Sequence, residues 1–337
     1  MVCSLIGLGI GPGDEVIVPA FTFIATACAV LAVGAIPVVA EVDETTTIDV
    51  EDVFAKLRPT VKAVIPVDML GFPCNMAPLV DLSRSYGFSV VEDACQAVGG
   101  SFGGKRLGTW GDAGCFSFND YKIISAGEGG ALLTNDRTIY ERSLLYQNGG
   151  SAFQYYTGPV QTPEFAGFQC RASEITGAIL RVQLQRLDGI LADLRRVKST
   201  ITEGLAGLPG VSFLSSHDPS GDCGLTIGFS FNTAEQASSF VDLTQINAWR
   251  PINHPRHVYN TWGPVIERRG SHHPALDPFN MSLNKGLRSN YQPDMCPRSL
   301  DILARKVFIT IKPDWDEDTI HNIIAKCRGA FLSIGGL

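Results

Sequence analysis

Residues 116–130 read Phe-Ser-Phe-Asn-Asp-Tyr-Lys-Ile-Ile-Ser-Ala-Gly-Glu-Gly-Gly. This run sets one lysine, Lys122, between an apolar, strand-like segment and a glycine cluster. Glycine tolerates positive φ and lets the backbone approach a ligand closely, so the cluster predicts a tight turn beside the lysine. Desolvation in such a place lowers the pKa of an amine and makes it available as a nucleophile or base. A solvated surface lysine is the alternative reading of this stretch.

An acidic residue ends a strand-like run upstream. The run Phe-Ser-Val-Val-Glu-Asp (88–93) is mostly apolar and ends at Asp93, 29 residues before Lys122. Open α/β sheets bind ligands at the carboxyl ends of their strands, so Asp93 is expected where a ligand would lie. A Schiff-base lysine and an acid paired with the pyridinium nitrogen are what pyridoxal phosphate requires.

Five blocks of sequence resemble the sugar aminotransferases of the DegT/StrS type, which belong to the aspartate-aminotransferase superfold. The resemblance extends from Gly9 to about Leu194. The blocks are Gly-Pro-Gly-Asp-Glu-Val-Ile-Val-Pro (11–19), Phe-Thr-Phe-Ile-Ala-Thr-Ala (21–27), Glu-Asp-Ala-Cys-Gln-Ala (92–97), Phe-Ser-Phe…Lys…Gly-Glu-Gly-Gly (116–130) and Gly-Phe-Gln-Cys-Arg (167–171). The resemblance implies the type I fold of pyridoxal-phosphate enzymes: an α/β fold with a mainly parallel sheet between helices and a smaller C-terminal α+β domain.

The resemblance also implies roles for single residues. Lys122 is the Schiff-base lysine and general acid/base, and Asp93 keeps the ring nitrogen protonated, with a helix N-cap as its alternative role. Gln96, one helical turn beyond Asp93, matches the glutamine that binds the phenolic oxygen, unless it is a surface residue. Phe23 matches the ring that stacks on the pyridine, unless it is plain core. Ser117 matches the hydroxyl that reaches the phosphate.

Two positions depart from the family's pattern. Gln169 lies in the Gly-Tyr-Asn-x-Arg motif, in place of the asparagine that reaches the phosphate of the neighbouring subunit in relatives. The motif predicts a homodimer, the commonest oligomer, with Gln169 at the shared site. Asp68 replaces a histidine of the family's Ile-Pro-Val-His block, and we find no physical account of that change in the sequence.

Apolar β-branched runs alternate with helix-like segments between residues 15 and 118, which is typical of a doubly wound, mainly parallel sheet. The predicted strands are Glu15–Pro19, Pro37–Asp43, Lys62–Val67, Phe88–Asp93, Gly114–Phe118 and Ala131–Thr134. The predicted helices between them are Phe21–Val33, Val50–Leu57 and Asn75–Tyr86.

A long amphipathic helix, predicted from Ser173 to about Leu205, joins two domains. We predict a large pyridoxal-phosphate-binding domain at 1–205 and a small domain at 206–337. The small domain has a loop-rich centre, and its predicted elements are the strands Val211–Leu214, Leu225–Phe231 and Val307–Ile311 and the helix Glu317–Phe331.

The start of the chain also differs from the family. Relatives have several tens of residues before the Gly-Pro-Gly-Asp-Glu block, including a helix N-terminus that holds the cofactor phosphate. This chain begins Met-Val-Cys-Ser-Leu-Ile-Gly-Leu (1–8), which resembles the last turns of that helix. The comparison predicts a truncated or misassigned N-terminus and weak binding of pyridoxal phosphate.

The composition argues against several classes of partner. The chain has 337 residues, a net charge of −7 and a pI of about 5.4, which disfavours nucleic acid and anionic membranes. Without a long apolar run or a signal-peptide pattern, we expect a cytoplasmic protein. Nine cysteines without a CxxC pattern predict reduced thiols. His254, His257, His272 and His273 lack a matching zinc ligand set, so we expect no metal.

The function implied by the resemblance is that of an aminotransferase (EC 2.6.1.-) using pyridoxal 5'-phosphate. It would move an amino group from glutamate or glutamine to a keto or aldehydo sugar in polysaccharide or antibiotic sugar biosynthesis. The segments 253–262 and 268–274 resemble the family branch that aminates a dideoxy-octulosonate more than the usual nucleotide-sugar pattern, and their histidines and arginines could supply the cations that an acidic sugar needs. Sugar dehydratases of the family carry histidine in place of the lysine, which disfavours that activity. The remaining alternative is a non-catalytic or cofactor-poor protein of the same fold with a binding or regulatory role.

Overall fold

The computed structural model describes residues 1–151 and 159–334. Its strands in those ranges are β1 (Glu15–Pro19), β2 (Ile36–Ala40), β3 (Val61–Val64), β4 (Ser89–Asp93), β5 (Ser101–Phe102), β6 (Lys105–Arg106), β7 (Ala113–Ser117), β8 (Gly130–Leu133), β9 (Thr226–Ser230), β10 (Ala248–Trp249) and β11 (Lys306–Thr310). Its α-helices are α1 (Val2–Gly7), α2 (Ala25–Ala32), α3 (Val50–Ala55), α4 (Met76–Tyr86), α5 (Arg137–Gln147), α6 (Glu174–Leu205), α7 (Ala234–Thr244), α8 (Gly263–Ile266), α9 (Pro297–Ala304) and α10 (Glu317–Ile334).

The large sheet has six strands in the order β2-β1-β3-β4-β7-β8. Five of them run parallel, and β8 runs antiparallel to β7. Every residue of β1 and β2 is buried, as expected where helices cover both faces of a parallel sheet. The predicted α/β fold with a mainly parallel sheet is confirmed.

A second, antiparallel sheet has the order β10-β11-β9. Four phenylalanines pack together in the core beside it, with ring centroids 4.6 to 5.7 Å apart; they are Phe229, Phe231, Phe240 and Phe331. The helix α6 leads to this core, and its buried side chains lie between Leu187 and Leu205. Ser173 caps α6 by accepting a hydrogen bond from the N–H of Thr176.

The helix after β1 begins later than predicted. We expected a helix from Phe21, but Phe21 forms a bridge with Val258, the chain bends at Thr22, and α2 begins at Ala25. The backbone of residues 21–24 pairs instead with residues 256–258: Thr22 donates to the oxygen of His257 at 2.9 Å, and Ile24 donates to the oxygen of Arg256 at 2.8 Å. This long-range pairing overrides the local helical pattern.

One strand prediction in the small domain is wrong. Residues 211–214 form no strand, because their ladder pairing is limited to one bridge between Phe213 and Phe229. The centre of this region is loop-rich, as predicted, because the stretch between α7 and α9 contains no more than β10, the short helix α8 and single 3-10 turns. The helix α9 starts with a proline, Pro297, at a position where no backbone N–H is needed.

Part of the C-terminal region packs into the core of the large sheet. The side chains that do so include Val258, Tyr259, Trp262, Val265, Tyr291, Cys296 and Leu303. We propose that the chain divides into a large domain at 1–205 and a small domain at 206–337, although residues of the second part contribute to the cores of both sheets. None of the helices within the two described ranges is both long and apolar enough to cross a membrane.

Candidate active site

Asp93 and Ser117 end two adjacent parallel strands, β4 and β7. The strands pair through Asp93 and Cys115, so their carboxyl ends lie at one edge of the sheet. This is the edge at which open α/β sheets bind ligands. Ser117 is half-buried, and its hydroxyl has no hydrogen-bond partner within residues 1–151 and 159–334, which leaves it for a ligand.

Asp93 is 6% exposed, and both of its carboxylate oxygens accept hydrogen bonds. The Thr26 hydroxyl donates to Oδ2 at 2.9 Å, and the backbone N–H of Cys95 donates to Oδ1 at 3.2 Å. A turn rather than a helix follows Asp93, so the helix N-cap alternative is wrong. Burial and the charge of Asp93 raise the pKa of the Cys95 thiol, which therefore stays protonated.

Gln96 lies in the same turn and not, as predicted, one turn along a helix. Its Oε1 accepts a hydrogen bond from the backbone N–H of Leu70 at 3.0 Å. Because that N–H can only donate, the amide oxygen must face Leu70 and the NH2 group remains for another acceptor. Leu70 adopts a left-handed backbone, with φ at 58°, in the short turn that presents this N–H.

Phe23 is 40% exposed, whereas the nearby Phe21 is 1% exposed and fills the core. The backbone bends at Thr22, between these two residues, so Phe23 does not continue the buried face of Phe21. The plain-core alternative for Phe23 is therefore wrong. Its ring centroid lies 5.6 Å from that of His257, at an interplanar angle of 53°.

Lys122 lies in the turn that joins β7 to β8. Its N–H donates to the oxygen of Asn119 at 3.1 Å, and the N–H of Ala126 donates to the oxygen of Phe118 at 3.0 Å. Gly129 has a φ of 156°, and a Cβ there would meet Thr176 at 3.3 Å, so glycine suits the turn. The Lys122 side chain is half-buried, and its amine has no hydrogen bond or ion pair with any described residue.

His257 contacts the ring of Phe23 and is also affected by the charge of Lys122. Burial, the neighbouring His254 and the charge of Lys122 lower the pKa of His257 to about 4. His257 is therefore neutral at pH 7, so it does not add a positive charge to the segment 253–262. The charge of Lys122 acts on the His257 ring, which also contacts Phe23.

Three parts of this arrangement were not assigned from the sequence: the Thr26 hydroxyl, the Leu70 N–H and the position of His257. Thr26 lies inside the 21–27 block, three residues after Phe23, and that spacing was the available signal. Nothing local indicates the other two. Leu70 depends on an unusual backbone angle, and His257 depends on pairing between distant segments.

The profile of the DegT/DnrJ/EryC1/StrS aminotransferase family matches residues 1–248. The chain belongs to this family. GDP-perosamine synthase of Caulobacter vibrioides is 36% identical over 264 residues, which are 76% of this chain and 69% of that protein. The dTDP-3-amino-3,4,6-trideoxy-alpha-D-glucose transaminase of Streptomyces venezuelae is 39% identical over 210 residues. These residues are 62% of this chain and 54% of that protein.

Solved structures agree with this assignment. The crystal structure of S. venezuelae DesV in complex with a ketimine intermediate aligns with a TM-score of 0.75 and 30% identity, and covers 97% of this chain and 81% of its own. The structure of 3-amino-5-hydroxybenzoic acid synthase aligns with a TM-score of 0.76 and 26% identity, over 98% of this chain and 83% of its own.

Gln169 is the predicted site residue that lies apart from the others. In this chain the motif 167–171 lies beside the end of α5, where Gln169 forms a backbone bridge with Asn148. Its Oε1 accepts hydrogen bonds at 3.0 Å from the backbone N–H and from Nε of Arg171. None of its described contacts reaches Lys122 or Asp93, and its role across a subunit interface stays a prediction.

Asp68, the family's second departure, is fully buried beside Glu92. Asp68 Oδ1 accepts a hydrogen bond from the N–H of Cys74 at 2.9 Å, and Glu92 Oε2 accepts one from the N–H of Trp110 at 2.9 Å. Their other oxygens, Asp68 Oδ2 and Glu92 Oε1, are buried without a partner. Burial and the charge of Glu92 raise the pKa of Asp68 well above its usual value.

The described part of the chain contains no cluster of metal-ligating side chains. No group of three or more His, Cys, Asp or Glu side chains there could hold a metal ion.

Proposed function

We propose that this chain is a pyridoxal-phosphate-dependent aminotransferase that aminates a nucleotide-linked keto sugar. The observation that carries the proposal is the Lys122 amine, unpaired among the described residues, on the turn that follows β7, next to the strand β4 that ends at the buried Asp93. The family and the names of the relatives support the reaction class, because the relatives are perosamine synthases and other sugar aminotransferases.

The side chains present fit pyridoxal phosphate. Asp93 offers a buried anion to a ring cation, and its two hydrogen bonds fix it in place. Phe23 offers an exposed aromatic face for a ring to stack on, which contributes about 1 kcal/mol. Among the described residues, the NH2 group of Gln96 and the hydroxyl of Ser117 have no partner, which leaves the first for a phenolic oxygen and the second for the phosphate.

When bound, pyridoxal phosphate supplies an electron sink for the carbanion that transamination creates. The chain's own groups move the protons and hold the charges. Lys122 Nζ takes the proton from the α-carbon of the amino donor and returns a proton to the sugar carbon that gains nitrogen. The Asp93 carboxylate would lie against the ring nitrogen of the cofactor and favour its cationic form, and Phe23, which contacts His257, would cover one side of the ring.

Glutamate is the amino donor in this proposal, with glutamine as the alternative. The dideoxy-octulosonate is a second substrate to test, and the structure supports it less than the sequence of the basic segments 253–262 and 268–274 does. His257 is neutral at pH 7, and Arg269 forms an ion pair with Glu267, so fewer free cations face an acidic sugar than the segment indicated. We therefore place the nucleotide sugar first.

Covalent labelling tests the proposal. The purified protein is incubated with pyridoxal phosphate, its absorbance spectrum is recorded, and borohydride reduction is followed by peptide mapping. We expect the pyridoxyl label on Lys122 and no label in Lys122→Ala, which should fold normally because the lysine side chain has no hydrogen bond with any described residue. A label on another lysine contradicts the assignment.

Substrate comparison tests the reaction. Nucleotide-linked keto sugars and a dideoxy-octulosonate are each supplied with glutamate or glutamine, and mass spectrometry detects the amino sugar. We expect a product from a nucleotide-linked sugar with glutamate, and none with Lys122→Ala. A protein that stays colourless with the cofactor and makes no product supports the non-catalytic alternative instead.

We also propose that the enzyme is a homodimer. The first half of α6 carries exposed apolar side chains that nothing in the described chain covers; they are Ile175, Ile179, Val182 and Leu184. Phe168, in the motif that carries Gln169, is 68% exposed at the same end of the molecule as the start of α6. A second copy would bury this surface, and twofold pairing of identical faces is the commonest arrangement.

A further inference from the structure

His254 and His257 form a close pair of imidazole rings. Their Nδ1 atoms are 2.5 Å apart, and the ring centroids are 4.1 Å apart at an interplanar angle of 69°. At that separation one Nδ1 must carry a proton and the other must accept it. The pair therefore restricts which nitrogen of each ring is protonated.

Both rings are held in place by other parts of the fold. His257 belongs to the segment that pairs with residues 21–24, which fixes its backbone. The His254 ring packs edge-on against Trp249, with centroids 5.2 Å apart, and the backbone N–H of His254 donates to the oxygen of Pro251 at 3.0 Å. The geometry of the pair is thus set by contacts on two sides.

The hydrogen-bond partners assign the protons. His254 Nδ1 also lies 2.9 Å from the carbonyl oxygen of Pro255, which can only accept. The proton is therefore on His254 Nδ1, and the Nδ1 of His257 is the acceptor. A neutral His257 then carries its proton on Nε2, and this atom has no hydrogen-bond partner within the described ranges.

The surroundings of His257 are apolar or cationic. Phe21 and Phe23 lie at 6.3 and 5.6 Å between ring centroids. The titratable groups whose charges act on it are His254, on its own segment, and Lys122, on the β7–β8 turn. With a cation on one side and aromatic rings on the other, a second positive charge is unfavourable, and the imidazole stays neutral.

We propose that His254 is a positioning residue that holds His257 in the Nε2–H form, and that His257 donates this hydrogen bond to an oxygen of the sugar substrate beside Phe23. The second half of this inference rests on the proposed function. A neutral donor suits a sugar oxygen, because it binds a hydroxyl or carbonyl without a charge that repels the amine of Lys122.

Nitrogen-15 NMR of the histidine side chains tests the first half without cofactor or substrate. We expect the His257 proton on Nε2 in the unmodified chain, and a mixture of both forms in His254→Phe, which keeps the ring against Trp249 but removes the donor. His254→Asn keeps an N–H donor and should retain more of the Nε2–H form than His254→Phe. His272→Phe, at an exposed histidine, should change nothing. A His257 proton on Nδ1 in the unmodified chain overturns the assignment, whatever the variants do.

Steady-state kinetics test the second half. One neutral hydrogen bond contributes about 1 kcal/mol, so we expect His257→Phe to raise KM for the keto sugar about fivefold, with KM for glutamate unchanged. His257→Gln supplies an N–H donor and should restore KM. Equal sugar KM values for the Phe and Gln variants would overturn the donor role. If the unmodified chain aminates no sugar, the proposed function fails, while the NMR result still decides on the histidine pair.

Discussion

Asp68 and Glu92 are both buried, and each has one oxygen without a partner among the described residues. Two ionised carboxylates cannot remain together where water is excluded, so one of them holds a proton in the folded chain. Burial is the larger cause of the raised pKa of Asp68, and the charge of Glu92 adds to it. Asp68, which replaces the family's histidine, is thus a neutral carboxylic acid. Its O–H can donate a hydrogen bond, as a histidine N–H would.

Asp68→Asn should remove a pH dependence of stability. A pKa raised by folding means that the folded chain holds the proton more tightly, so this contribution is complete below the unfolded pKa of about 3.9 and is lost as pH rises through the folded pKa. We expect the free energy of unfolding to fall less steeply above pH 4 in Asp68→Asn, measured by urea unfolding across pH. Asp81→Asn, at an exposed carboxylate, is the control. Identical slopes for Asp68→Asn and the unmodified chain would show that Asp68 is ionised.

Asp93→Asn should lower turnover by orders of magnitude while cofactor still binds. An amide cannot hold the ring nitrogen as a cation, yet it keeps the size of the carboxylate and can still accept from Thr26. The measurement is kcat for transamination together with a cofactor titration. Thr26→Val, which keeps the carboxylate and removes one hydrogen bond, should lose far less. Unchanged turnover in Asp93→Asn would reduce Asp93 to a structural role.

The sequence was enough to find Lys122 and Asp93 as candidates because each combines local chemistry with a local break in structure. Lys122 precedes a glycine turn, and Asp93 ends an apolar strand. The orientation of Gln96 and the protonation of His257 were beyond its reach. They depend on the backbone angle of Leu70 and on a second histidine ring, and neither leaves a periodic or compositional pattern.

At the scale of elements, the buried strands were predicted to within about three residues because their apolar runs are nearly continuous. The start of α2 was wrong because its first residues pair with a distant segment. Another long-range contact joins the loop 41–49 to α9 and β11. Glu41 accepts hydrogen bonds from Ser299, and Glu44 forms ion pairs with Arg305 and Lys306. This acidic loop ties the second sheet to the first.

Glu44→Ala should cost more stability than Lys306→Met. The Lys306 side chain is 1% exposed, so removing Glu44 leaves a buried ammonium with only the hydroxyl of Ser230 as a partner. We expect a loss of roughly 2 kcal/mol, discounted because Glu44 itself is half exposed. In Lys306→Met the charge leaves with the side chain, and Glu44 turns to water. Urea unfolding measures both, and a larger loss in Lys306→Met would contradict this account.

At the scale of the whole molecule, Ile175→Glu should weaken the proposed dimer. Ile175 is 74% exposed on the first half of α6, and a carboxylate there would have to lose its water when two copies meet. Sedimentation velocity over a dilution series should show monomer at concentrations where the unmodified chain is dimeric. Leu332→Glu, at a 63% exposed site on α10, should leave the dimer intact. A fully active monomer of the unmodified chain would remove the basis for the dimer.

The pairing of residues 21–24 with 256–258 also determines when the cleft can exist during synthesis. Residues 24 and 258 are 234 positions apart, so Phe23 leaves the ribosome long before His257 is made. At typical elongation rates the interval is roughly 10 to 50 s. Through that time the sheet edge is open on one side, and a cofactor that binds early meets half a cleft. Slowing translation between these two segments would therefore lengthen the life of an open nascent chain without altering a single residue of the finished enzyme.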